Sequence, residues 1–285
     1  RIMDGKGRVI SLAGNSFFWS NYKDGSRFYK TKVVNHLVED WKSTIVRASI
    51  GVEVEGGYIE QPNQELKKAK TIIEAAIAKN IYVIVDWHSH HAEEYTPYAL
   101  EFFNEISKTY GNYNHLIYEV YNEPINTTWP NIKAYAKKVI EGIRKNDPDN
   151  LIVVGTRRWS QEVEEASLDP IEGNNIAYTL HFYAGTHSDE LRLKAKNALD
   201  NGIALFVTEW GSVNANGDGD AAIDETERWM QFIKEHKLSH LNWSVSDKDE
   251  GASIIAPKQG INGLLNGRLT PSGKYVRDLI MNWDQ

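Results

Sequence analysis

The sequence predicts a (β/α)8 barrel filling one domain over residues 1–285. Three observations predict it: eight short apolar runs rich in β-branched and aromatic residues, helix-like segments between them, and a strand-to-strand spacing of about 33 residues. A first strand over residues 9–13 is followed by one over 44–50, both apolar and β-branched. A helix over 66–79, with apolar positions three and four apart, leads into a strand over 81–86. The same periodicity gives helices over 97–110 and 129–144 on either side of a strand over 116–121. Short runs at 151–154 and 176–181 form the fifth and sixth strands. Helices over 188–200 and 221–236 flank the seventh, at 203–208, and an eighth at 240–245 closes the series. Strands that read as near-continuous apolar runs are those buried on both faces, as in a parallel sheet. An open doubly wound sheet is the alternative. Length alone permits two domains, but no Pro/Ser-rich linker or repeat interrupts the alternation.

Composition excludes several classes of function. A net charge of −7 argues against nucleic acid or an anionic membrane as partner, since both call for a basic face. The absence of cysteine removes disulfides, thiolate nucleophiles and Cys-ligated zinc or iron–sulfur centres together. The longest apolar runs, at 81–85 and 203–207, have strand length and fall short of the roughly 18 residues of a membrane span. The chain starts at Arg1 with neither Met nor a signal-like apolar stretch, which reads as a processed product or an excised catalytic domain.

Barrel enzymes assemble their sites at the C-terminal ends of the strands. The second strand carries Arg47, and the third ends in Asp86-Trp87-His88. The fourth ends in Tyr121-Asn122-Glu123-Pro124, the sixth in His181-Phe182-Tyr183, the seventh in Thr208-Glu209-Trp210-Gly211 and the eighth in Asn242-Trp243-Ser244. Two carboxylates, two histidines and several aromatics therefore converge on one rim. Glycoside hydrolysis needs such a carboxyl pair, one to protonate the leaving oxygen and one to attack the anomeric carbon or activate water. Strands four and seven lie on opposite sides of the mouth, so Glu123 and Glu209 are expected to face each other at the roughly 5 Å that retention requires. His181, Tyr183 and Arg47 are placed to hold one glutamate ionised. Flat aromatics stack on the apolar faces of sugars, and Trp19, Trp159 and Trp243 are the candidates.

Tyr-Asn-Glu-Pro at 121–124 and Thr-Glu-Trp-Gly at 208–211 resemble the two signatures of glycoside hydrolase family 5. The likeness extends through Arg47, Asp86-Trp87-His88, the stretch 177–185 and Trp243, and is similar to the bacterial endo-β-1,4-glucanase branch. The resemblance implies a TIM barrel and a cofactor-free retaining double displacement, with Glu123 as acid/base and Glu209 as nucleophile. It further implies that Asn122 holds the 2-hydroxyl of the sugar, that Arg47 and Tyr183 orient Glu209, and that His181 sits beside Glu123. His88 and Trp243 would line the subsite on the non-reducing side of the cleaved bond. Trp19 and Trp159 would contact the glucan on opposite sides of it, and Lys248 and Glu250 would reach a distal glucose. Asn15 stands at a substrate-binding position where many relatives have His, and Gly51 where many have Tyr. The implied substrate is a cellulose-like or mixed-linkage β-glucan or cello-oligosaccharide, acted on by a secreted monomer.

Other readings stand beside these. The two glutamates would alternatively be structural carboxylates in a buried network, and Glu119 reads as a deeper structural partner of an arginine. His88, His90 and His91 form a cluster without helical zinc spacing, so no metal is expected. Asn214, Asn216, Asp218, Gly219 and Glu225 can be laid on a calcium-loop template but read better as a strand-to-helix connection. Trp41, Trp229 and Trp283 read as packing residues. A mannanase or xyloglucanase with the same mechanism, or a non-catalytic carbohydrate-binding barrel, are the competing functions.

Overall fold

The computed structural model describes residues 2, 3 and 6–283; Arg1, at which the chain starts, lies outside them. Eight parallel strands close into a barrel: β3 (Ala13–Phe17), β4 (Ile45–Gly51), β5 (Tyr82–His88), β6 (Leu116–Glu119), β7 (Ile152–Val154), β8 (Ile176–Tyr183), β9 (Leu205–Gly211) and β10 (His240–Val245). Each pairs with the next in sequence, and β10 returns to β3 with Asn242 opposite Asn15 and Trp243 opposite Ser16. Helices Pro62–Ala78, Thr96–Tyr110, Trp129–Arg144, Asp189–Asp200 and Ile223–His236 stand where periodicity puts them. Helices Thr31–Glu39, Val163–Leu168 and Pro271–Met281 complete the outer ring. The last is capped by Thr270, whose hydroxyl accepts the amide of Gly273 at 2.9 Å.

One strand lies elsewhere than the sequence suggests. Val9–Ile10, β2, pairs antiparallel with Ile2–Met3, β1, outside the barrel, and the first barrel strand is Ala-Gly-Asn-Ser-Phe at 13–17. Small and polar residues hide this strand from an apolar-run search, yet packing demands them. A Cβ at Gly14 would lie 1.7 Å from the carbonyl oxygen of Ile45 on the neighbouring strand.

Among the described residues, buried apolar side chains form three clusters: a small one beside the mouth of the barrel, with Phe18, Tyr183, Val213, Trp243 and Ala252, and two larger ones. One of the larger two lies between sheet and helices and includes Trp41, Trp87, Trp210, Trp229 and Phe182, so Trp41, Trp229 and the largely buried Trp283 are packing residues. The other closes the lower interior of the barrel with Leu12, Ile45, Ile84, Ile117, Val153, Ala177, Phe206 and Leu241. Above this plug the same strands turn polar residues inward, and the site begins there.

Candidate active site

Arg47 is the centre of the upper interior. Two positions above Ile45 on β4, its fully buried guanidinium meets three carboxylates: Glu119 at 2.7 Å, Glu209 at 2.9 Å and Asp86 at 3.0 Å. It also donates to Oδ1 of Asn122 at 2.7 Å. One cation cannot neutralise three buried anions, and burial pushes Asp86 up to about 7 against the pull of Arg47. Glu119 is thus the arginine partner lying deeper than Glu123.

Glu209 reaches the interior through a bulge. Between β8 and β9 the register moves from Thr179 opposite Phe206 to His181 opposite Glu209, so β9 carries one extra residue. Thr208 and Glu209 consequently both point inward: Thr208 donates to Oε1 of Glu119 at 2.8 Å, and Glu209 takes Arg47 on one oxygen and the Tyr183 hydroxyl on the other at 2.7 Å. Burial, then the charge of Glu209, raises the Tyr183 phenol well above its ordinary range and keeps it a donor.

Glu123 lies beyond the end of β6, on a turn tied down from the next loop. The amide of Trp159 donates to the carbonyl of Pro124 at 3.1 Å and the hydroxyl of Ser160 to that of Asn122 at 2.6 Å. Arg158, Trp159 and Ser160 all have left-handed φ, between 55 and 58°, and this strained run presents Trp159 to solvent, 47% exposed. Both oxygens of Glu123 face imidazoles, Oε1 that of His181 at 2.8 Å and Oε2 that of His90 at 3.4 Å.

The proton count of this cluster follows from its donors. Thr208 spends its hydroxyl hydrogen on Glu119, so Nε2 of His181, 2.9 Å from that hydroxyl, donates to it. Nδ1 of His181 and Oε1 of Glu123 then hold one proton between them. Burial opposes charge on both, but the imidazole hydrogen bonds outweigh it and hold Glu123 below the usual carboxylate range. Burial likewise disfavours charge on His181, and the negative charge of Glu209 with the Glu123 hydrogen bond raises it nonetheless.

An oxygen of Glu123 and one of Glu209 lie within 4.8 Å, with a ring nitrogen of His181 equally near. Those three groups are of metal-ligating type, but Glu209 already holds the Arg47 guanidinium, whose charge repels a dication. Around the pair runs a cleft of about 670 Å³ walled by His88, Trp19, Trp243 and the exposed rim. His88 stacks on Trp243 with ring centres 5.3 Å apart, and the Trp19 ring stands perpendicular to His88 with centres 4.1 Å apart. Burial, then Arg47, pushes His88 down to about 3, so it is neutral and donates from Nδ1 to Asp86 at 2.6 Å. Lys248 and Glu250 pair with each other on the same wall. Past the two glutamates the cleft continues for a further 520 Å³ along Trp159, Gln161 and His187.

Asn15 does not belong to this site. It points outward from β3, fully buried, with Oδ1 accepting from Ser43 at 3.1 Å, because alternation on the strand turns Gly14 and Ser16 inward instead. The space at Gly51 is taken by Asn21, whose Oδ1 would lie 2.2 Å from a Cβ there. The loop from Asn214 to Glu225 is a connection: Glu225 pairs with Arg192 at 2.5 Å, and Asp218 accepts the amides of Gly219 and Gly251. The sequence reading missed His90 as a neighbour of Glu123 and considered it only as a metal ligand. It also missed Tyr22 and Asn216 in the cleft wall. The available signal was position, since all three lie in loops following barrel strands.

A family model described as cellulase, glycosyl hydrolase family 5, matches residues 3–249. The chain belongs to glycosyl hydrolase family 5. It is similar to Endoglucanase Z of Dickeya dadantii, 51% identical over 97% of this chain and 64% of the relative. It is also similar to Endoglucanase A of Evansella cellulosilytica, 43% identical over 89% and 53%. The chain therefore spans between half and two thirds of the length of these curated relatives. Among solved structures, one from Cytophaga hutchinsonii shares 50% identity with a TM-score of 0.94, covering 97% of this chain and 90% of that one. The family 5 fold is shared equally with the catalytic domain of Thermobifida fusca endoglucanase Cel5A, in a complex with cellotetraose. There the TM-score is 0.93 and the identity 30%, over 98% of this chain and 94% of that one.

Proposed function

We propose that this chain is a secreted, monomeric endo-β-1,4-glucanase that cleaves cellulose-like and mixed-linkage β-glucans with retention of configuration and without a cofactor. One observation carries the reading: two carboxylates within 4.8 Å, one fixed by an arginine and a tyrosine, the other sharing a proton with an imidazole. That spacing suits direct attack and leaves no room for a water between carboxylate and sugar. Glu209, held in place by Arg47 and Tyr183, attacks the anomeric carbon while Glu123 gives its proton to the departing glycosidic oxygen. Glu123, now a carboxylate, takes a proton from water, which attacks the same carbon and releases Glu209. Asn122 is held by Arg47 through Oδ1, and its Nδ2 has no protein partner, which suits a donor reserved for the sugar 2-hydroxyl. His88, Trp243 and Trp19 form the wall for the glycone, with Lys248 and Glu250 further out, and Trp159 receives the leaving end.

A cleft extending both ways from the glutamates supports cleavage within a chain. The Thermobifida fusca relative holds cellotetraose, and the curated relatives carry the name endoglucanase. Secretion follows from the substrate, a polymer too large to enter a cell. Reducing-sugar release and viscosity on soluble cellulose, mixed-linkage β-glucan, glucomannan and xyloglucan test the reading, with Glu209→Gln as the control. Rapid viscosity loss on the first two, reduced by a factor on the order of 10⁴ or more in the variant, is the expected result. Activity confined to glucomannan or xyloglucan would overturn the specificity, and an unaffected variant would overturn the mechanism.

A further inference from the structure

Two imidazoles flank Glu123, and His181 shares a proton with it through Oε1. His90 occupies the other oxygen, and four features distinguish it from a residue that merely fills space. Its Nε2 lies 3.4 Å from Oε2 of Glu123, the carboxylate oxygen that His181 does not use. Its backbone amide is held by Oε1 of Glu53 at 2.8 Å, and Oε2 of Glu53 is buried without a hydrogen-bond partner. Its carbonyl accepts from the Tyr121 hydroxyl at 3.0 Å, while the Trp19 ring, near-perpendicular with its centre 5.6 Å off, flanks the imidazole. Finally, His90 and Glu123 both line the cleft and are both partly exposed, so the pair is open to a glycosidic bond there.

We propose that His90 is a positioning residue that stores the catalytic proton for Glu123, passing it from Nε2 to Oε2 as the glycosidic bond breaks. The inference rests on the reading of Glu123 as acid/base. In the first half-reaction the Nε2 proton of the His90 imidazolium moves to Oε2 and on to the departing oxygen. With the proton shared by His181 and Glu123 staying on Nδ1 of His181 throughout, this leaves a neutral imidazole at His90, a carboxylate at Glu123 and a free sugar hydroxyl. In the second, water loses a proton to Oε2 as its oxygen bonds the anomeric carbon and Glu209 departs as a carboxylate. That proton returns to Nε2, and the cluster is as it began. The charged groups facing His90 are Glu123, Glu53 and Glu209, all acidic, with His88 neutral beside it. Although burial opposes charge on the imidazole, these three and the Glu123 hydrogen bond raise its proton affinity above the ordinary value. A second site for one proton raises the pH at which the cluster gives it up, so His90 extends activity toward alkali.

Two aryl β-cellobiosides separate this role from a structural one. Departure of 2,4-dinitrophenolate needs no proton, whereas that of phenolate does. In His90→Gln, the alkaline limb of kcat/KM on the phenyl substrate moves to lower pH by about one unit, a tenfold loss above that limb. On the dinitrophenyl substrate kcat/KM stays within about twofold. Glu53→Gln keeps an acceptor for the His90 amide and removes its charge. It moves the same limb in the same direction by less, and serves if the first variant folds poorly. An unmoved limb in both variants, or equal losses on the two substrates at every pH, would overturn the proposal. Failure of the wild type to cleave either cellobioside would instead overturn the function on which it rests.

Discussion

Two layers inside one barrel share strands but not chemistry. On β4 the inward residues are Ile45 and then Arg47, on β5 Ile84 and then Asp86, and on β6 Ile117 and then Glu119. One step of pleat, about 6.6 Å, separates an apolar plug from a buried ion cluster. The plug is stabilised by removal of apolar surface from water, which asks only for fit. The cluster places three carboxylates on one guanidinium, and its desolvation cost is offset only while every partner is present. The difference teaches where robustness and function lie: the lower layer holds the barrel closed, and the upper layer holds charge in place for chemistry.

The largest expected effect comes from breaking the upper layer at its centre. Arg47→Met keeps the side-chain bulk and leaves Asp86, Glu119 and Glu209 unpaired in the interior. A loss of about 3–5 kcal/mol in unfolding free energy is expected, measured by urea titration, together with loss of hydrolysis. Loss of hydrolysis with unchanged stability would show that the cluster makes no net contribution to the fold. Next in size is a cut in the lower layer. Ile84→Ala, fully buried in the plug, is expected to cost about 2–4 kcal/mol through the cavity it leaves. Its kcat/KM at 25 °C should stay within a few-fold of wild type, because no charged group loses a partner. A hydrolytic defect as deep as that of Arg47→Met would mean that the two layers are mechanically one.

The lower layer and most of the outer ring were legible in the sequence because apolar periodicity is a local signal. The first barrel strand was not, since its Gly14 and Ser16 answer to the backbone of β4 and to Arg47, both distant in sequence. Glu209 illustrates the limit for the site. Its neighbour motif was readable, but alternation from Phe206 would turn it outward, and only the bulge against β8 turns it in. Asn15 fails the other way: the family resemblance suggested the cleft, whereas parity puts it against Ser43. His90 sits in a loop whose course depends on Glu53 and Tyr121, and no spacing rule carries that information.

The smallest effect sets two histidines against each other, one in each environment. His181 lies in the upper interior among carboxylates, and its raised proton affinity adds stability at low pH that is lost as pH climbs past its folded value. His240 lies on the outer face of β10, fully buried, accepting from Trp210 Nε1 at 3.0 Å and packed 4.1 Å from the ring of Trp283, with Nε2 unpartnered. Burial, then the charge of Lys234, pushes it down to about 3, against about 6.5 in an unfolded chain. Between those values the unfolded chain binds a proton that the folded one refuses, so stability falls as pH falls through this window. The limit is about 1.4 kcal/mol per pH unit for one group. His240→Phe removes this contribution and also the acceptor for Trp210, which costs about 1–2 kcal/mol at pH 7. The variant should therefore be less stable at pH 7 and lose stability more slowly on acidification, its curve converging on that of the wild type between pH 6 and 4. Parallel curves in urea titrations across that range would mean that His240 takes up its proton without unfolding, and that the outer core tolerates a charge as the upper interior does.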